Sequence, residues 1–203
     1  MRLIVENLAC IRSGRTLFQG LSFALAQGEA LRIVGPNGAG KTSLLRLIAG
    51  LLAPAEGRIA LEGAEGGAGE AAHLVGHQDA VKGALTVEEN LQFWSAVLGG
   101  GGGVGLTAVE AALSMLGLSA LAQFPARVLS AGQWRRLALA RLLVAKRRLW
   151  LLDEPASGLD ADGQKTLSRM IAEHISAGGI AVVAAHGAPE ISGAREIRLG
   201  GGA

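Results

Sequence analysis

An α/β fold is predicted for this chain, and three features of the sequence predict it. A short apolar run at residues 30–34 leads into a glycine-rich loop and then a helical pattern over residues 42–52. Before that run the chain reads as β, with residues 3–5 apolar and Leu21-Ser22-Phe23-Ala24-Leu25 alternating. Late in the chain β signals return at residues 148–152 and 180–184, separated by a helical stretch over about residues 163–175.

Each element has a local reason. In residues 42–52, Leu44, Leu45, Leu47, Ile48, Leu51 and Leu52 form a wide apolar face, with Gly50 a cost to that helix. Residues 58–61 form a further short strand, and residues 62–70 are too rich in Gly and Ala to assign. Thr86-Val87-Glu88-Glu89 has capping-box spacing, and Leu91, Trp94, Val97 and Leu98 follow at helical intervals. Residues 99–103, five glycines, end that helix, because each interior glycine costs roughly 1 kcal/mol relative to alanine; a flexible loop is expected. Residues 107–116 and 133–143 read as two more helices, with Ser130 a candidate cap for the second. The chain is therefore expected to be one domain, residues 1–203. A mostly helical insertion at about residues 84–140 interrupts an α/β core of residues 1–83 and 141–203.

Composition narrows the function class. Half of the 203 residues are apolar, enough for a sizeable core. No stretch of 18 or more apolar residues runs without a charge, Gly or Pro, so no bilayer-spanning helix is expected. The start, Met1-Arg2-Leu3-Ile4-Val5-Glu6-Asn7, lacks the pattern of an export signal, and retention in the cytosol is expected. Cys10 is the single cysteine and cannot form an internal disulfide. A net charge of +2 without a basic run interleaved with aromatics implies no nucleic acid. Lys146-Arg147-Arg148 reads as a solvated loop before a strand rather than a lipid-binding cluster.

The chemistry is concentrated in two places. Gly35-Pro36-Asn37-Gly38-Ala39-Gly40-Lys41-Thr42 has glycine, four residues, then Gly-Lys-Thr, a pattern that turns successive backbone N–H groups into one concavity at a helix start. Such a nest binds phosphate oxygens. Lys41 can reach the β and γ phosphates, Thr42 Oγ1 is placed for Mg²⁺ and Ser43 for a further phosphate contact. Downstream, Asp153 and Glu154 follow the apolar run Leu149-Trp150-Leu151-Leu152. Asp153 can hold Mg²⁺ through water, and Glu154 can polarise the water that attacks the γ phosphate. With the phosphate loop upstream and Leu129-Ser130-Ala131-Gly132-Gln133 between them, this pair leads us to expect an ATP hydrolase of the P-loop type.

Between these lies Leu129-Ser130-Ala131-Gly132-Gln133, which resembles the signature of ABC-type ATPases, with Ala131 where that family usually has Gly. Gln78, Ser157-Gly158-Leu159-Asp160 and His186 stand in the family's order around it, so the resemblance covers nearly the whole chain. It implies an ABC-type ATPase core with an antiparallel β subdomain and an inserted helical subdomain. It also implies an ATP-dependent homodimer sandwiching two nucleotides. In that dimer Ser130, Ala131, Gly132 and Gln133 of one copy face the phosphate loop of the other. His186 would contact the γ phosphate, Asp160 would link the two sites, and Gln78 would sense Mg²⁺ and water. Where the family usually stacks adenine on an aromatic residue, this chain has Arg12, and it has no tyrosine. An arginine plane can stack on a base, so Arg12 is the candidate base contact.

Within the family the chain resembles the ATP-binding subunits of the bacterial cytochrome c maturation haem exporter. The match is carried by Arg15-Thr16-Leu17-Phe18 with Gly20-Leu21-Ser22-Phe23, by Gly76-His77-Gln78 with Lys82 and Leu85-Thr86-Val87-Glu88-Glu89-Asn90-Leu91, by the signature with Arg135-Arg136, and by Leu149 through Pro155. The resemblance implies a peripheral protein on the cytoplasmic face of the bacterial inner membrane, beneath an integral membrane subunit and associated haem-handling components. Its work would be haem export or release of a haem-loaded chaperone. A groove near Gln78 and the helical insertion would receive the partner's helix, with Leu85 and Leu91 as contact candidates. His73, His77, His174 and His186 read as surface, core or phosphate residues rather than haem ligands. An ABC transporter ATPase for another substrate and a soluble ABC-type ATPase are the rival readings. A metabolic P-loop kinase is a third, opposed by the signature and Glu154.

Overall fold

The computed structural model describes residues 1–64, 67–98, 106–187 and 190–200. The loop expected at residues 99–103 lies outside the described residues. The chain divides into two compact units, one of Met1–Gly76, Arg147–Pro155 and Ser168–Ala203, the other of His77–Lys146 and Ala156–Leu167.

The first unit begins with β1 (Arg2–Arg12), antiparallel to β2 (Arg15–Ala26). β1 runs well past residues 3–5 because the strand absorbs a bulge instead of stopping. Asn7 takes a φ of +46°, its N–H donates to Ser22 Oγ at 2.9 Å, and the pairing resumes in a shifted register at Leu8. β3 (Ala30–Val34) leads through the glycine loop into α1 (Lys41–Ile48), and β4 (Glu56–Glu62) returns to pair antiparallel with β1, giving the order β2-β1-β4.

α1 is shorter than the predicted helix, and Gly50 is the reason. With φ +71° it closes the helix: Gly50 N–H donates to Leu47 O at 3.0 Å and Leu51 N–H to Arg46 O at 2.9 Å. That pair of bonds is a Schellman stop, so Gly50 terminates the helix rather than weakening its interior. Leu51, beyond the stop, is exposed.

β5 (Ala72–Val75), β6 (Leu149–Asp153), β7 (Ile180–Ala184) and β8 (Arg195–Arg198) join β3 in a parallel sheet of order β5-β6-β7-β3-β8. β6 and β7 are buried along their whole length, which is why they read as continuous apolar runs. β8, Arg-Glu-Ile-Arg at the sheet edge, has no apolar pattern for sequence reading to find. Leu3 and Leu25 of the antiparallel sheet, Leu31 and Ile33 of β3, and Leu44 and Leu45 of α1 meet in one solvent-free core. Arg147 is not a free loop charge: its Nη1 donates to Ala72 O at 3.0 Å and also to the carbonyl of Glu70, fastening the segment that sequence reading left unassigned.

In the second unit α2 (Val87–Leu98) and α3 (Leu106–Met115) pack on α4 (Ala131–Val144). Leu91 is fully buried there, which corrects its place among the partner-contact candidates, whereas Leu85 is half-buried. Among the described residues, the exposed large apolar side chains of this unit are Val97, Phe124 and Val128. α5 (Ala161–Ser176) is divided between the two groupings after Leu167. Among the described residues no helix is long and apolar enough to cross a membrane.

Candidate nucleotide site

The loop between β3 and α1 is shaped by glycines that nothing else could replace. Gly35 has φ +145°, and a Cβ there would lie 2.3 Å from Leu199 O; Gly40, the N-cap of α1, has φ +102° and no side-chain cap. The first N–H groups of α1 are thus left for an anion, and the helix dipole favours negative charge at the same point.

Lys41 is buried to 7% exposure, and its Nζ donates to Gly35 O at 2.8 Å and Pro36 O at 3.2 Å. It also lies 2.8 Å from His186 Nε2, which is itself 2.8 Å from Asn37 Oδ1. One ring nitrogen cannot serve both at once. Unprotonated, Nε2 accepts from Lys41; protonated, it donates to Asn37. Thr42 Oγ1 donates to Asp153 Oδ2 at 2.7 Å, bringing a hydroxyl and a buried carboxylate together at the end of β6.

Glu154 follows with φ +46°, a left-handed conformation unusual for a non-glycine residue. Its N–H donates to Ala184 O at 2.8 Å, tying the turn to β7, and its Oε1 lies 3.8 Å from His186 Nε2. Arg12 and Leu17 from the β1–β2 hairpin line the same cavity, of about 390 Å³, as Lys41, Thr42, Asp153 and Glu154. Gly38 of the loop and Ser43 of α1 also line the cavity, whereas Ala39 sits in the core. Among the described residues no aromatic side chain lines it. Leu17 is a cavity residue that sequence reading did not single out, since an apolar residue in a hairpin carries no chemical signal.

The remaining candidates belong to the second unit. Ser130 caps α4 in a reciprocal box: Gln133 N–H donates to Ser130 Oγ at 3.3 Å and Ser130 N–H to Gln133 Oε1 at 2.9 Å. Ala131, the first helical residue, is exposed, so its methyl is accommodated without displacing anything. Gly132 lies close to Gly158, whose carbonyl oxygen would be 3.2 Å from an added Cβ. Asp160 Oδ1 accepts from Gly163 N–H at 2.9 Å and pairs with Arg136 Nη2 at 2.5 Å; these two contacts, in that order, hold its carboxyl below the usual range. Arg136 was not foreseen as a site residue, because only the fold places it opposite Asp160. Gln78 is exposed, in the segment after β5.

Of the four histidines, His73 is buried in β5, His77 is exposed, and His174 stacks on Trp150 with ring centroids 3.9 Å apart. Among the described residues there is no group of three or more His, Cys, Asp or Glu side chains able to hold a metal ion.

Comparison with known proteins extends this picture. A family model described as ABC transporter matches residues 18–157. The chain is 52% identical over 200 residues to the cytochrome c biogenesis ATP-binding export protein CcmA of Rhodopseudomonas palustris (strain BisB5), covering 98% of each chain. It is 52% identical over 205 residues to the protein of the same name from Nitrobacter winogradskyi, covering 100% of each. Among solved structures, one described as an ABC transporter ATP-binding protein from Pyrococcus furiosus superposes with a TM-score of 0.85 over 98% of both chains; at 23% identity this likeness concerns the fold alone.

Proposed function

The chain belongs to the ABC transporter family and, within it, to the cytochrome c biogenesis ATP-binding export proteins, and from that premise we propose how its residues divide the work of an ATP-hydrolysing export subunit. The observation that carries the assignment of roles is the convergence of Lys41, Thr42, Asp153 and Glu154 on one cavity at the start of α1.

The backbone N–H groups of residues 35–42 receive the nucleotide phosphates. Lys41 exchanges the carbonyls of Gly35 and Pro36 for phosphate oxygens, and Ser43 adds a hydroxyl contact. Arg12 lies flat against the base in place of an aromatic ring, with Leu17 beside it. Thr42 and Asp153 suit Mg²⁺, being hard oxygen donors already 2.7 Å apart. They would form a partial shell of the kind that substrate phosphates complete, and Gln78 would be the further protein ligand. The ion, when bound, neutralises charge on the β and γ oxygens. Glu154 takes a proton from the attacking water as its oxygen bonds to the γ phosphorus and the bond to the bridging oxygen breaks. His186 holds the γ phosphate, leaving Lys41 or Asn37 to do so.

The functional unit is a homodimer closed by ATP, each copy presenting Ser130, Gly132 and the start of α4 to the other's phosphate loop, with Asp160 connecting the two sites. It sits on the cytoplasmic face of the inner membrane beneath an integral membrane subunit. Closure and reopening drive haem export or the release of a haem-loaded chaperone.

The test is to trap tagged Glu154→Gln with ATP and Mg²⁺ in native membranes and identify what co-purifies. A multi-helix membrane subunit with haem-handling proteins is expected. An unrelated permease would discard haem and keep the transporter; no membrane protein at all would discard the complex.

A further inference from the structure

The segment that carries Gln78 is fastened to the helical unit by contacts the mechanism above does not use. Asp79, next to Gln78, forms an ion pair with Arg135 in which the two side chains are only 17% and 6% exposed. Ala80, at φ +51°, accepts a hydrogen bond from Trp94 Nε1 at 3.2 Å. Asn90 closes the far end: its Oδ1 accepts Lys82 N–H at 2.8 Å and its Nδ2 donates to Lys82 O at 3.0 Å.

Asp79 has a second cation near it. The guanidinium of Arg141 lies 5.2 Å from the centre of the Trp94 ring. Burial pushes its pKa down to about 10, with Asp79 opposing that shift and Arg135 adding to it. Asp79 is therefore a counter-charge to both buried guanidinium groups, and a neutral side chain at that position would remove its share from each.

Arg135 and Arg141 project from α4, the helix whose first turn is built by Ser130. Arg135 lies five positions beyond Ser130, about 7.5 Å of helical rise, and a helix of this length is stiff over that distance. Ala80 needs a left-handed backbone to put its carbonyl on Trp94, so the segment holds its shape only while both ends are fastened.

We propose that Asp79 is a positioning residue: with Trp94 it locks the Gln78 segment to the helical unit and so fixes where Gln78 is held. The proposal rests on the reading of Gln78 as a ligand that follows Mg²⁺ and water.

The experiment uses the full chain with Cys10 replaced by Ser and a nitroxide on a cysteine at position 78 or, as control, at position 110 on the exposed side of α3. Asp79→Asn is expected to add a fast-motion component to the position 78 spectrum and to leave position 110 unchanged. In chains with native Gln78, assembled in their membrane complex, Asp79→Asn is expected to keep ATP affinity within about twofold and lower turnover about tenfold, as misplacement of a catalytic group does. Arg135→Lys with Asp79 intact, which retains the charge, should keep most of the turnover that Asp79→Asn loses. If Asp79→Asn loosens both labels, Trp94→Phe decides, since it removes the indole donor and keeps a ring beside Arg141. An unmoved position 78 label in Trp94→Phe, or in a folded Asp79→Asn, overturns the proposal. Loosening at position 78 with normal turnover upholds the lock and overturns the role given to Gln78.

Discussion

Glu154, the proposed base, sits where the backbone leaves the strand. Its φ of +46° breaks the line of β6 directly after Asp153, the acid proposed for the different task of holding Mg²⁺. Such a conformation costs on the order of 1 kcal/mol for a side chain other than Gly, and the 2.8 Å bond from its N–H to Ala184 O helps to hold it. Glu154→Gln keeps that geometry and removes the base. Turnover is expected to fall by about 10²-fold or more with ATP affinity unchanged, in single-turnover and equilibrium-binding measurements. Turnover like that of the unmodified chain would take Glu154 out of the mechanism. Gly35→Ala tests the loop in the opposite way, through shape. Its Cβ would fall 2.3 Å from Leu199 O, so either the loop or the chain end beyond β8 must move. A loss of about 2 kcal/mol in unfolding free energy is expected, together with weaker ATP binding.

At the scale of elements, α4 separates capping from any contact with phosphate. Ser130 and Gln133 satisfy each other's backbone N–H groups, so removing either side chain should cost about 1 kcal/mol of stability. Ser130→Ala and Gln133→Ala are therefore expected to shift a urea midpoint alike, while Ser130→Ala lowers turnover further. Equal loss of turnover in the two would leave Ser130 as a cap only. α5 carries a pH dependence. His174, in its last turn, stacks on Trp150, and burial lowers its pKa despite the carbonyls of Ile180 and Arg148 that favour the proton. The folded form thus binds this proton less readily than the unfolded chain. The neutral ring's contribution is complete above the ordinary histidine pKa of about 6.5 and is lost as pH falls through that value toward the lower folded one. Urea midpoints measured from pH 7.5 to 5 should fall less steeply in His174→Gln than in the unmodified chain; equal slopes would assign the pH dependence to the other histidines.

For the whole molecule, the proposed homodimer closed by ATP predicts a change of mass. The Glu154→Gln chain is expected to double its mass in light scattering on adding ATP with Mg²⁺, and to return to the monomer when ATP is replaced by ADP. Attachment to a membrane partner concerns a different surface. Phe124, 53% exposed, and Val128, 58% exposed, are large apolar side chains that the helical unit leaves in contact with solvent. Phe124→Glu should reduce recovery of the membrane subunit while ATP binding stays within about twofold, measured on the same preparations. A charge at Leu91 would instead unfold the helical unit, because that residue is fully buried.

Much of this was legible in the order of residues. The α/β class, the helix starts at Thr86 and Ser130, the glycine loop and the acid pair after β6 all depend on periodicity, capping chemistry or chemical type within a few positions. Such local rules hold wherever the segment ends up in the fold. Tertiary structure decided what depends on distant neighbours. It placed His186 against Lys41 and Asn37, paired Arg136 with Asp160 and Arg135 with Asp79, and added the polar edge strand β8. It also made Gly50 a helix stop and Leu91 a core residue. A charge or a glycine has the same identity in any setting, but whether it is paired, buried or bent depends on which remote segment the folded chain brings against it.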